Sequence, residues 1–295
     1  MTSNFNEKIA ICYICSGETY RENVLQKLNE DYYSDSNLYY FVLTDNKSFF
    51  KDVRLENFVA TELKDFYEEF PDIKEYEYLL EAKDKSEYAE KFVESNYKFP
   101  ISIMRFLLLQ AYRAEIKNVL LIVADTILRL EKFSNSYLES KNRIYNAISE
   151  WDADLQNNNM PIIADILKEK FDLTPDSPVR VLDACARLFV FENLEDAKRL
   201  FDIWNEVILT LFRNNQMHHF QGSYANNDEF ILAPIYNVLG LNKQHQQAGH
   251  GMFEANNNAA KDRFWLIFDE KYQSHTNYEE FLKLNNLTEE DIKKM

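Results

Sequence analysis

Glycine and proline are scarce: the 295 residues include 5 of the first and 6 of the second. Together they make about 4 % of the chain against a usual share of roughly 12 %. A collagen-like repeat needs glycine at every third position and flexible linkers need glycine, serine or proline, so both architectures are excluded. With 46 % apolar and 15 % aromatic residues there is ample material for a core, which excludes a disordered chain. Cysteine is limited to Cys12, Cys15 and Cys185, an odd count without the spacing of a disulfide framework. Cys12-x-x-Cys15 has the letters of a redox or half-zinc motif. Zinc needs a second pair, however, and a redox pair opens a helix, whereas this one sits inside an apolar run. Reduced thiols are expected. Positive charge is the minority, 33 Lys and Arg against 49 Asp and Glu, and the net charge of -16 repels phosphate backbones. The first apolar run, Ile9 to Cys15, is too short for a membrane span or a signal-peptide core, so the expectation is a cytoplasmic protein with no span.

What is present alternates between strand and helix signals. Ile9-Ala-Ile-Cys-Tyr-Ile-Cys15 is continuous and bounded by polar residues, the pattern of a strand buried on both faces of a parallel sheet. Ser16-Gly17-Glu18 makes a tight loop, and Thr19-Tyr-Arg-Glu22 reads as a capping box opening a helix with Val24, Leu25 and Leu28 on one side. Further strands are expected over Leu38 to Leu43, which runs into Thr44-Asp45-Asn46, and over Phe58 to Ala60. Pro100 opens an apolar helix that carries one internal cation, Arg105, and Val119 to Leu128 is the most hydrophobic run, interrupted by one carboxylate, Asp125. Helices are expected over Asn142 to Glu150, Pro161 to Phe171 and Leu194 to Phe212, strand material over Val179 to Phe191, and a last helix opening in Gly222 to Phe230 and stopping at Gly240. This is an α/β chain with a Rossmann-like, mixed, mainly parallel sheet flanked by helices. No repeat or linker divides it, so a single domain over 1–295 is expected, with an acidic helical insertion at about 51–97 and a helical tail at about 278–295. The insertion holds 14 acidic and 7 basic residues and reads as a solvated face. Its aromatic residues leave two further readings open, an acceptor platform or a homo-oligomer face.

In such sheets ligands bind outside the carboxyl ends of the strands. The candidates there are Cys15, Ser16 and Gly17, where glycine lets a nucleotide approach the backbone. Tyr20 or Tyr13 would stack on a base, Asp45 would accept from base or ribose, Asp125 ends a buried strand, and Asp228 and Glu229 open a late helix. A single glycine in the first loop excludes a dinucleotide-binding oxidoreductase, whose fingerprint needs three. Each candidate has a structural alternative. Arg105 pairs with an acid or faces a diphosphate, Asp125 caps a segment, and Asp228 and Glu229 favour a helix dipole. Asp152-Ala-Asp154 has the letters of a metal motif but follows a polar, helical stretch, and Arg187 is structural or acceptor-binding.

The order of these features resembles the A-type-fold glycosyltransferases, particularly the retaining families six and eight. Ser102-Ile-Met-Arg105 is similar to their small-x-x-Arg pattern, and Leu121-Ile-Val-Ala-Asp-Thr126 to the strand ending in Asp-x-Asp, with Val123 in place of the first acid. Asn227-Asp228-Glu229 resembles the late Asp-Glu segment of family six, and His250, or else His245, the late metal-binding histidine of family eight. The resemblance covers about 8–46, 99–130 and 180–253. It implies transfer of a sugar from a nucleotide sugar, a UDP-sugar above all, to a hydroxyl acceptor with retention. Asp125 and His250 would hold manganese or magnesium, Arg105 would steady the diphosphate, and Asp228 or Glu229 would face the sugar. Glycans and small molecules are the expected acceptors. One alternative is a hydroxymethylated DNA base in a groove lined by Arg129, Lys132, Lys141 and Arg143, as in phage enzymes. The other is a degenerate member that binds a nucleotide or a partner without turnover, motivated by Val123.

Overall fold

Seven consecutive side chains without a charge form the central strand, β1 (Ile9–Cys15), and all seven are buried. The computed structural model describes residues 5–30, 35–74, 100–123, 126–128, 138–139, 143–146, 149–183, 186–220, 227–241, 246–247 and 266–268. A strand can lie this deep only if both its edges are paired. On one side β1 runs parallel to β2 (Leu38–Thr44), which is followed outward by parallel β3 (Phe58–Glu62). On the other it runs parallel to β4 (Asn118–Val123). Next come β9 (Ala186–Val190), antiparallel to both its neighbours, then β6 (Arg143–Asn146) and the two-residue β10 (Gln246–Gln247). The sheet order is β10-β6-β9-β4-β1-β2-β3, mixed and mainly parallel as expected.

The period-two alternation of β1 sorts its residues between two layers. Ala10, Cys12 and Ile14 join one core cluster, under α3 (Pro100–Arg113) and α5 (Leu194–Arg213). Ile9, Ile11, Tyr13 and Cys15 join the other, under α1 (Glu18–Glu30), whose Val24 and Leu28 are buried. Each large apolar side chain fully buried this way contributes about 1.5–3 kcal/mol. Helix α5 is the most amphipathic element, burying Leu200, Trp204, Val207, Ile208 and Leu211, and its N-terminus is capped by Asn193, which accepts from the Asp196 N–H at 3.0 Å. Beyond the main sheet, β7 (Ser149–Ala153) pairs antiparallel with β8 (Val179–Asp183). Helices α4 (Met160–Phe171) and α6 (Asn227–Val238) lie beside this ribbon, with Met160 and Ala233 in one cluster with Val179 and Val181. The short β5 (Thr126–Leu128) pairs antiparallel with β11 (Leu266–Phe268).

The structure corrects several expectations. Residues 143–146 and 149–153, expected within and after a helix, are strands β6 and β7, because Arg143-Ile-Tyr-Asn146 finds a ladder on β9 and pairing overrides local propensity. Helix α1 starts at Glu18, one residue before the expected cap Thr19; Gly17, at φ +86°, turns the chain, and its carbonyl accepts from the Arg21 N–H at 3.1 Å. Val119 to Leu128 is not one strand but β4 and β5, in different sheets. Of the acidic stretch, the described part holds β3 and α2 (Leu63–Glu69), while 75–97 and the tail at 278–295 lie outside the described residues.

Candidate functional site at the carboxyl edge of the sheet

Strand register lines up one edge. Thr44 lies opposite Glu62 and Cys15, Val123 opposite Ile14, Ala186 opposite Ile122, and Asn146 opposite Arg187. The first loop, the Asp45 turn, the end of β4, the start of β9 and the end of β6 therefore share this edge. Chain order reverses direction between β1 and β4: β2 and β3 go to one side, β4 to the other. That reversal is the switch point at which open α/β sheets leave a crevice.

On one flank of the crevice the first two loops are locked together. Asp45 Oδ2 accepts from the Gly17 N–H at 3.1 Å, and both its oxygens lie 2.6 Å from Arg21 Nη1. Arg21 also lies over the Phe49 ring, 5.4 Å from its centroid. Partial burial raises the Asp45 carboxyl, but the bonds from Arg21 and Gly17 outweigh it and hold the group below the usual carboxylate range. The expected candidates Gly17 and Asp45 are thus brought together, and Arg21 is a partner that sequence reasoning missed. Its signal was a cation one helical turn after the loop glycine. Ser16 is buried, and its hydroxyl has no hydrogen-bond partner among the described residues. Cys15 closes β1; burial pushes its thiol up to about 12, so it is neutral and unreactive. Cys12 and Cys15 face opposite layers, which removes the redox and zinc readings of that pair. Tyr13 is fully buried in the core and cannot stack on a base; Tyr20, half-buried, packs on the same layer.

Arg105 is completely buried between α2, α3 and α5. Its Nε donates to Asn205 Oδ1 at 2.9 Å, and its guanidinium lies over Phe70 (4.7 Å to the centroid) and Phe66 (5.6 Å). Burial pushes it down to about 9, which leaves it a cation at neutral pH. Neither Asn205 nor the two rings carried any sequence signal as its partners.

On the far flank, Arg187, the second residue of β9, reaches Glu229 in the first turn of α6, with Nη2 3.2 Å from Glu229 Oε1. The same nitrogen donates to the Leu182 carbonyl at 3.1 Å. Asp228 lies in that first turn as well. Asp152 and Asp154 each have another partner. They lie on and just after β7 rather than after a helix; Asp152 pairs with Arg180 at 3.3 Å, and Asp154 accepts from the Gln156 N–H at 2.9 Å. Among the described residues no group of three or more His, Cys, Asp or Glu side chains is placed to hold a metal. Asp125, His250, His245, Arg129, Lys132 and Lys141 lie outside the described residues. No helix among the described residues is long and apolar enough to cross a membrane.

No family model and no curated protein sequence matches the chain. Solved structures similar to it include mouse xyloside xylosyltransferase 1 in its apo form, at 10 % identity over 95 % of this chain and 94 % of that one, with a TM-score of 0.44. A second is the galactosyltransferase LgtC in complex with donor and acceptor sugar analogues, at 12 % identity over 97 % of this chain and all of that one, TM-score 0.45. A third is the glycosyltransferase GlyE of Streptococcus pneumoniae TIGR4, at 11 % identity and TM-score 0.40, where the match covers 82 % of this chain and 45 % of that one.

Proposed function

We propose that the chain is a glycosyltransferase that moves a sugar from a nucleotide diphosphate, most plainly a UDP-sugar, to a hydroxyl acceptor with retention. The observation that carries this reading is the switch point between β1 and β4. The Ser16-Gly17 loop lies on one side of it and the end of β4, two residues before Asp125, on the other. A nucleoside laid on the first flank meets a backbone glycine, the Asp45 carboxylate and the buried Ser16 hydroxyl, a polar group that a ligand oxygen or N–H would satisfy. Arg21 and the Gly17 N–H fix Asp45 before any ligand arrives, so little ordering remains to be done on binding.

Breaking the anomeric bond puts negative charge on the departing diphosphate and positive charge on the sugar. The first task is assigned to Arg105, a buried cation at neutral pH. In the first turn of α6, the Asp228 carboxylate is assigned to the second. A manganese or magnesium ion held by Asp125 and His250 would neutralise the diphosphate when bound, carboxylate oxygen being a donor both metals accept. Retention and the choice of uridine rest on the sequence resemblance.

Calorimetric titration with UDP, GDP and ADP, with and without manganese, tests the reading on wild type and Asp125→Ala. Manganese-dependent binding of one diphosphate, lost in the variant, is expected. Absence of binding by every diphosphate under both conditions overturns it and leaves a non-catalytic interaction protein.

A further inference from the structure

We propose that Arg187 and Glu229 form a buried staple that seats the first turn of α6, and with it Asp228, against the carboxyl edge of the sheet. Glu229 is then a positioning residue and not the acid that faces the sugar. The assignment of a task to Asp228 rests on the glycosyl-transfer reading; the staple itself does not.

A ring contact and an ion pair both tie α6 to β9. Tyr236 packs edge-on against Phe189, with ring centroids 5.9 Å apart. Two helical turns earlier, Glu229 meets Arg187, which shares the Phe189 side of β9 because side chains alternate along a strand. The apolar contact fixes the body of the helix. The opening turn is held by the ion pair together with the Phe230 ring, which meets Trp151 edge-on with centroids 6.4 Å apart. One guanidinium nitrogen serves both Glu229 Oε1 and the Leu182 carbonyl, so β8, β9 and α6 meet at one group. Both side chains are almost wholly inside, at 4 % and 6 % exposure. A carboxylate turned inward onto a permanent cation at this depth is occupied by the fold. Asp228 is its neighbour in the same turn, and the staple fixes the backbone that carries it.

The test combines two readouts on wild type, Glu229→Gln, Arg187→Lys and Arg187→Met. Hydrogen exchange at the amides of 227–232 reports the staple directly, and hydrolysis of UDP-glucose and UDP-galactose reports the site. Glu229→Gln keeps an oxygen for Arg187, so α6 protection stays near wild type and kcat falls by about two- to fivefold, with KM unchanged. Arg187→Met removes the donor, and exchange in the first turn of α6 rises at least about tenfold while later turns, held by Tyr236, stay protected. Arg187→Lys keeps the charge without the fork and falls between; it also keeps the test readable if the methionine variant does not fold. Loss of about 100-fold or more in kcat for Glu229→Gln with α6 protection intact makes Glu229 the reacting acid and overturns the proposal. Unchanged exchange in both Arg187 variants overturns the staple. If wild type hydrolyses neither sugar nucleotide, the transfer reading loses its support, and the exchange arm alone decides the staple.

Discussion

Arg105 and Asn205 should be energetically coupled, and the size of that coupling follows from their surroundings. Arg105 is entirely out of water, its Nε donates to Asn205 Oδ1 at 2.9 Å, and two phenyl rings cover the guanidinium. A hydrogen bond to a charged group contributes about 1.5–3 kcal/mol, so Asn205→Ala should cost about that much. At roughly 2–4 °C per kcal/mol for a chain of this order, the melting midpoint falls by about 3–12 °C. Arg105→Met behaves differently. It forfeits the bond and the ring contacts, about 0.5–2 kcal/mol for the latter, but relieves the fold of a desolvated charge worth several kcal/mol. The net change is expected within about 2 kcal/mol of wild type. In the Arg105→Met background Asn205 has no cation left to serve, and Asn205→Ala should then cost under about 0.5 kcal/mol. Urea unfolding of the four proteins by circular dichroism gives the cycle. An Asn205→Ala penalty that is the same in both backgrounds would refute the account and leave Asn205 an ordinary helix residue.

Further outcomes follow from the edge itself. Gly17→Ala forces a side chain into φ +86°, and should cost about 1–2 kcal/mol by thermal unfolding and weaken nucleoside diphosphate binding; an unchanged midpoint and affinity would show that the loop relaxes freely. Asp45 titrates below its unfolded value, so its stabilisation is fully present above about pH 4 and is lost as pH falls through the folded pKa. Asp45→Asn should therefore flatten the acid side of a plot of melting midpoint against pH, and a parallel curve would contradict the Arg21 and Gly17 lock. Asp152→Ala removes only a half-exposed pair with Arg180, so stability should change by under about 1 kcal/mol and manganese-dependent binding not at all. Loss of metal dependence in that variant would restore the acid pair as a metal site.

The parts of this protein legible in its sequence are those where a local pattern has one physical solution. Ile9 to Cys15 has no charged residue to present to water, so it had to be a strand paired on both edges; the runs opening at Leu38 and Val119 read the same way, although the second was expected to continue to Leu128 and the structure ends β4 at Val123. The helix expected over Leu194 to Phe212 was legible as an amphipathic run, and the structure carries it to Arg213, burying Leu200, Trp204, Val207 and Leu211, and caps it with Asn193. Gly17 announced the turn into α1 because no other residue type adopts its backbone angle at so little cost. From these elements the class of sheet and the edge that bears the loops were within reach.

What the tertiary structure alone decided is every choice that depends on a distant partner. Arg143 to Asn146 became a strand because β9 offered it a ladder. Cys12 and Cys15 are equal as letters, yet the pleat sends them into opposite layers. A buried cation takes whatever acceptors the packing supplies, and no spacing rule ties Arg105 to Asn205, Asp45 to Arg21, or Arg187 to Glu229. Charge and hydrogen-bond pairing act through space at a few ångströms, while sequence patterns encode only the periodicity of a single element. The sequence therefore determined which residue types stand at the carboxyl edge, and the fold decided which of them are held by one another.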